Sequence, residues 1–255
     1  MQGAPQKSEL QKSELHIRVM GPPSLQIGGQ DLFFKTRKAL ALALYLALEG
    51  PQPQDALLEL LWPDSPHSGS LRTAALHLRQ ALGEQAWRLQ TQWCGLSLDL
   101  SGAFVDAHTL GQLSAEQALA WKPGLFLAGL HLKGNPAWDD YLMLRAETLA
   151  AEYDRRLAEL CRALAEQGDY DHACELARRR SELDPLSENA CSQWGWVLGL
   201  AGLPQKAASI QAAFARRFTQ VFGFGPLSAG LRPEEGGQFF SPPFPNKAQR
   251  EAVVA

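Results

Sequence analysis

The residues best suited to chemistry are Thr73, Leu76, His77 and Gln80, with Arg72 and Arg79 beside them. At helical pitch these share one side of a helix over Leu71–Gly83, while Leu71, Ala75, Leu78 and Leu82 share the other. The apolar side anchors the helix. The opposite side carries an amide, an imidazole, a hydroxyl, an aliphatic group and two flanking cations. Such a set can read base edges in a major groove, with Gln80 bonding adenine and Leu76 meeting a thymine methyl. The competing reading is a solvated helix face, with Leu76 packed on the segment that follows. That segment predicts two short strands, Leu89–Thr91 and Leu96–Leu98, around Gln92-Trp93-Cys94-Gly95, with Gly95 supplying turn geometry. A helix followed by such a hairpin is a DNA-reading arrangement. Trp93 at its tip is suited to a minor groove, to a neighbouring protomer, or to packing on its own domain.

Other chemistries find weaker support. Cys161, Cys174 and Cys191 with His172 lack paired Cys-x-x-Cys spacing and read as small core residues rather than metal ligands. A reactive Cys94 would need a nearby positive group, and only Arg88 is close in sequence. Gly223-Phe224-Gly225-Pro226-Leu227-Ser228 opens like a dinucleotide fingerprint, but it ends in Ser and follows no strand. Gly95-Leu96-Ser97-Leu98-Asp99 misses the hydrolase elbow at its last position, and no Gly-x-x-x-x-Gly-Lys loop occurs. No catalytic residue, cofactor or metal is expected. Arg178-Arg179-Arg180 reads as a solvated helix face rather than a DNA patch. Trp121, Trp138, Trp194 and Trp196 read as packing residues, though Trp194 could also line a concave partner surface.

The elements that must hold this helix follow from punctuation and periodicity. Gln6–Leu10 and Gln11–Leu15 repeat QKSEL, a polar leader (residues 1–14) expected to be disordered. β-like runs at Leu15–Met20, Leu25–Ile27 and Leu32–Phe34, separated by Gly21-Pro22-Pro23 and Gly28-Gly29-Gln30, predict a small antiparallel sheet. Thr36 caps a helix running to Leu48, stopped by Glu49-Gly50-Pro51. A second helix spans Gln54–Leu61 and ends at Trp62-Pro63-Asp64-Ser65-Pro66, after which Ser68 or Ser70 caps the third. Sheet, three helices and hairpin describe a winged helix-turn-helix of α+β class over residues 15–100. After a boundary near Ser101-Gly102 the chain reads as helices only, broken at Lys122-Pro123-Gly124 and Lys133-Gly134-Asn135-Pro136. Gly168 and Ala173 return as Gly202 and Ala207 at a spacing of 34, with Leu160 and Leu164 answered by Trp194 and Leu198. Thirty-four is the tetratricopeptide (TPR) period, so the second domain reads as all-α and TPR-like. Asp184-Pro185 closes the first copy, and Thr219 stands where the second would have its proline. From residue 233 a tail rich in Gly and Pro lacks periodicity and is expected to be disordered.

Composition agrees with two globular domains: 255 residues, 45% apolar and 20% charged, with a net charge of −3 that does not advertise a polyanion partner. Scattered cysteines and no signal sequence point to a reducing cytoplasm. The most apolar run, Ala39–Leu48, falls well short of the ~20 residues of a membrane span and reads as a core helix.

Taken in order, these residues resemble a known family. QDALLELLWPD at Gln54–Asp64, Leu71–Gly83 and Arg88–Leu98 resemble the OmpR/PhoB-type winged helix of SARP transcription factors. Val105-Asp106, Pro123–Leu130, Trp138, Gly168-Asp169-Tyr170 and Phe224–Ser228 resemble the bacterial transcriptional activator domain that follows it, here 101–232. The resemblance implies a transcriptional activator that binds direct promoter repeats in double-stranded DNA as side-by-side protomers and contacts RNA polymerase. It also implies base contacts from the third helix and a hairpin in the minor groove. The chain departs from the family pattern at His77 and Gln80, where arginines are usual, and at Gln92, where the wing is usually basic. The common Gly-Tyr ending the wing is here Gly95-Leu96. Residues 15–100 hold seven Lys/Arg and seven Asp/Glu, a neutral balance. Phosphate neutralisation dominates non-specific affinity, so a monomer is expected to bind weakly and tandem binding to compensate. The expected DNA-binding set is Lys35, Arg37, Lys38, Ser70, Arg72, Thr73, Leu76, His77, Arg79, Gln80, Arg88, Thr91, Gln92 and Trp93. Two other readings stay open: a helical adaptor, or protein-interaction module, whose winged helix has weak or lost DNA binding, and a sensor binding a small ligand in the helical domain.

Overall fold

A computed structural model describes residues 14–92 and 95–226, and of Gln92 the backbone alone. The expectations for the leader, Trp93, Cys94, Leu227-Ser228 and the tail lie outside the described residues.

The chain opens with β1 (Leu15–Arg18), antiparallel to β2 (Ser24–Ile27), which in turn pairs with β3 (Gln30–Asp31). Ile27 pairs with Gln30 across Gly28-Gly29, whose φ angles of 59° and 79° are those of a tight two-residue hairpin turn. Such a turn forces pairing to start at once. The third strand therefore lies at Gln30–Asp31 and not at the expected Leu32–Phe34, where Phe33 is left exposed.

Helix α1 (Arg37–Glu49) starts as expected at Thr36, whose hydroxyl accepts from the Ala39 amide, and stops at Gly50 with φ 73°. Its buried residues run all round the helix, which makes it the central element of the first domain. The short strand β4 (Gln52–Pro53) leads into α2 (Gln54–Leu61), whose bounds match the sequence reading. Helix α3 (Ser68–Leu82) begins earlier than expected, with His67 at its cap position. Neither Ser68 nor Ser70 caps it, since both lie inside its first turn. Gly83, with φ 56°, ends α3, and a 3-10 turn over Gly83–Arg88 separates it from the wing.

The wing strands β5 (Leu89–Gln92) and β6 (Gly95–Leu98) are antiparallel, and β4 adds to the other edge of β6. That third strand explains Gly95 better than turn geometry does. A Cβ at this position would sit 2.0 Å from the Gln52 carbonyl oxygen, so a close backbone approach requires the glycine.

Beyond Ser101-Gly102 the chain returns from the wing to the first sheet. Strand β7 (Phe104–Val105) runs parallel to β1, giving the order β3-β2-β1-β7 and correcting the expectation of helices only. Two-residue strands such as β4 and β7 carry no periodicity from which to read them. Asp106 then clamps the N-terminal sheet: its carboxylate accepts from the amides of Val19, Met20 and Ala107 at 2.8–3.0 Å. Burial raises its pKa against these three bonds. The Pro123–Leu130 stretch follows the same edge, with the Leu127 amide donating to the Val19 carbonyl. Leu127, at φ 45°, is the only positive-φ residue other than glycine among the described residues.

After a 3-10 stretch, Asp106–Gln112, come α4 (Ala115–Ala120), α5 (Pro136–Glu166), α6 (Tyr170–Leu183), α7 (Glu188–Leu200) and α8 (Pro204–Phe222). Gly168 and Gly202, at φ 80° and 73°, turn α5 into α6 and α7 into α8, while Ala173 and Ala207 are buried just beyond them. The spacing of 34 therefore marks equivalent positions in two helix pairs. The domains share a continuous apolar core, supplemented by polar ties. Asn135, the cap of α5, donates to the Leu60 carbonyl, and Glu49 accepts from Tyr141 and pairs with Arg145.

Candidate nucleic-acid interface

The buried side of α3 holds Leu71, Ala75, Leu78 and Leu82 as its periodicity predicts, with Ala74 added. Arg72, Thr73, Leu76 and Gln80 are exposed on the remaining surface. Leu76 keeps 52% of its surface in solvent, so it is not packed on the wing. The Thr73 hydroxyl donates back to the Gly69 carbonyl at 2.9 Å. His77 and Ser70 are half-buried on one flank, and Arg79 lies on the other.

On the Arg79 flank the wing is tied to the helix. The Arg79 guanidinium donates to the Thr91 hydroxyl at 2.9 Å and more loosely to the Leu89 carbonyl at 3.5 Å. Arg88 differs from its expected role at a phosphate. It is only 5% exposed and donates to the Gln85 side chain and to the carbonyls of Asp99 and Ser101. Its cation fastens the base of the wing to the chain leaving β6, because a buried guanidinium needs acceptors. The backbone of Gln92 ends β5, and Trp93 lies outside the described residues.

The opposite flank is an open cleft of about 700 Å³. Ser70, Thr73 and His77 of α3 form one wall, Arg37, Lys38 and Trp62 a second, and His131 and Lys133 a third. The Lys38 ammonium stands 4.9 Å from the Trp62 ring centre, its pKa lowered by burial and partly restored by Asp64. Arg37 donates to the His131 carbonyl at 3.2 Å and remains exposed, as does Lys35. Among the described residues, His77 Nδ1 is buried without a hydrogen-bond partner. Sequence reasoning missed His131 and Lys133. They belong to a loop legible only as a turn, and nothing local says that this turn folds back against α3.

Two further expectations meet different outcomes. Arg179 and Arg180 are not a solvated face. Arg179 is buried against the end of α4, donating to the Ala118 and Leu119 carbonyls, and Arg180 pairs with Asp154 and reaches Gln193. Only Arg178 lies at the surface, paired with Glu175 and Glu182. Cys161 and Cys191 are buried, as read from sequence, and burial pushes both thiols up to about 11. Among the described residues no group of His, Cys, Asp and Glu could hold a metal, and no helix is long and apolar enough to cross a membrane.

The fold is thus a winged helix carrying a helical domain, with the exposed side of α3 and the wing at one surface. The same architecture is found in EmbR of Mycobacterium tuberculosis, a SARP-type regulator, in a structure in complex with a low-affinity phosphopeptide. The two match with a TM-score of 0.63 at 18% identity, over 84% of this chain and 62% of that one. The likeness is one of fold, and the chain spans less than two thirds of the EmbR chain. No family model matches the sequence, and no curated protein matches it either.

Proposed function

We propose that this chain is a sequence-specific DNA-binding transcription regulator, an activator rather than an enzyme, acting in the cytoplasm. The winged helix, residues 15–100, sets α3 into the major groove and the β5–β6 wing at the adjacent minor groove. The TPR-like activator domain, 101–232, contacts RNA polymerase or a second protomer on neighbouring promoter repeats. The observation that carries this reading is the exposed stripe of Arg72, Thr73, Leu76 and Gln80 on a helix whose other side is buried. A single exposed leucine is ordinary on a protein surface, but placed among hydrogen-bonding groups on such a helix Leu76 is able to meet a thymine methyl. The EmbR-like fold supports the same reading.

Arg88 is buried and Arg79 is tied to the wing, which leaves for phosphates Lys35, Lys38, Arg72 and the exposed Arg37, only one of whose donors is spent on the His131 carbonyl. Four such contacts correspond to a salt slope of about −3.6. The test is selection of duplexes from a random-sequence pool, followed by binding and footprinting across a salt series. The expected result is a defined footprint, that slope, and at least a tenfold loss in Arg72→Ala combined with Gln80→Ala. A flat salt response with no footprint, unchanged in the double variant, sinks the regulator reading. It would favour instead a helical adaptor whose winged helix contacts protein, a reading motivated by the neutral balance of residues 15–100.

A further inference from the structure

The cleft beside α3 is built by both domains, and its outer wall belongs to the helical one. We propose that Lys133, together with Arg37 and Lys38, seats successive backbone phosphates of the DNA strand flanking the groove that α3 enters, a fifth contact that takes the expected salt slope from about −3.6 to about −4.5. On this proposal the activator domain is part of the DNA-binding surface. The inference rests on the regulator reading and extends it to a residue outside the winged helix.

Geometry supports it first. A helix with its side chains is about 10–12 Å across and fills a major groove about 12 Å wide, so the bounding strands must lie along its two flanks. One flank of α3 carries Arg79, tied to Thr91. The other carries Ser70, Thr73 and His77, which form the inner wall of the cleft. A strand on that side runs past the cleft mouth.

Charge points the same way. The lining includes Arg37, Lys38 and Lys133 with His77 and His131, and no Asp or Glu. Two acids outside the lining act on it: Asp64 on Lys38, and Asp139, 3.7 Å from His131. Position is held as well. The Arg37 bond to the His131 carbonyl and the Asn135 bond to the Leu60 carbonyl fix the loop on either side of Lys133. A lysine carried on a fixed loop next to α3 loses less freedom on meeting a phosphate than one on a free arm.

The experiment compares Lys133→Gln, Arg37→Gln and Lys122→Gln in the full chain, on a duplex selected by the unmodified protein. Lys122 is an exposed lysine that does not line the cleft, so its variant corrects for net charge. Lys133→Gln and Arg37→Gln are each expected to lower the salt slope by about 0.9 and affinity about fivefold to tenfold, uniformly across sequences. Lys122→Gln is expected to change neither. If Lys133→Gln behaves like Lys122→Gln while Arg72→Ala still weakens binding, the cleft proposal is overturned and the regulator reading stands. If the unmodified protein binds no duplex, both fall. Inorganic phosphate and pyrophosphate serve as a second probe. Millimolar stabilisation of the unmodified protein but not of Lys133→Gln, with DNA binding equal in the two, would assign the cleft to a free anion and overturn the proposal.

Discussion

The two flanks of α3 carry similar numbers of cations and use them in opposite ways. On the wing flank Arg79 and Arg88 donate to Thr91, Gln85 and main-chain carbonyls, so their charge holds the hairpin in place. On the cleft flank Arg37, Lys38 and Lys133 converge on open space, and only Arg37 donates to a carbonyl of the facing loop. The difference teaches that a count of Lys and Arg does not measure capacity for phosphate. What matters is how many donors the fold has already paired, because a guanidinium buried among acceptors cannot be withdrawn without leaving those acceptors unsatisfied.

The wing flank can be broken most severely at Arg88. Arg88→Ala removes a buried side chain and its bonds to the Asp99 and Ser101 carbonyls, and should cost about 2 kcal/mol of folding stability in a urea titration. A loss below about 0.5 kcal/mol, a range typical of surface sites, would place Arg88 with the free cations after all. Thr91→Val should cost about 1 kcal/mol, the value of one charge-assisted bond at the surface, and release Arg79. If Arg79 is then free for phosphate, the salt slope of DNA binding should steepen even though stability falls. On the cleft flank Lys35→Gln should change stability by no more than about 0.5 kcal/mol, since Lys35 is exposed, while DNA affinity and the salt slope fall together.

The smallest effect is expected at the start of α6, where an exposed pair controls for both flanks. Asp169 caps the helix and bonds His172, holding the Asp169 carboxyl below its ordinary pKa and the His172 imidazole above its own. The histidine contribution is present below the unfolded imidazole value of about 6.5 and fades as pH rises through the folded one. The carboxylate contribution is present above about 3.9 and fades as pH falls. The difference in Tm between the unmodified protein and His172→Ala should therefore be largest near pH 5 and shrink by pH 8. A difference that grows towards pH 8 would show that the pair does not act through charge.

Much of this architecture is legible residue by residue. The apolar spacing of Leu71, Ala75, Leu78 and Leu82 identifies the buried side of α3, because a helix can bury only a stripe that recurs at its own pitch. Gly50 marks a turn in which a positive φ is needed. Gly168 and Gly202, legible from their spacing and expected to let helices approach closely, have open space around them and serve instead as turns at positive φ. β3 lies two residues before its expected start because the Gly28-Gly29 turn sets the pairing, and β4 and β7 are too short to show a pattern. Arg88, Arg179 and Arg180 look like surface cations in sequence, and only their acceptors, mostly distant along the chain, make them internal ties.

From sequence alone come the order of the two domains, the helix that presents Thr73, Leu76 and Gln80, and the neutral charge balance around it. These depend on local pitch, on turn chemistry and on simple counts. The tertiary structure decides which cations remain available and which residues the interface gains. Lys133 reaches the cleft because its loop is bonded to segments 75 and 94 residues away, and Arg88 leaves the surface through carbonyls 11 and 13 residues on, across the wing. Hydrogen-bond partners and neighbours across such distances are properties of packing, and no local pattern encodes them.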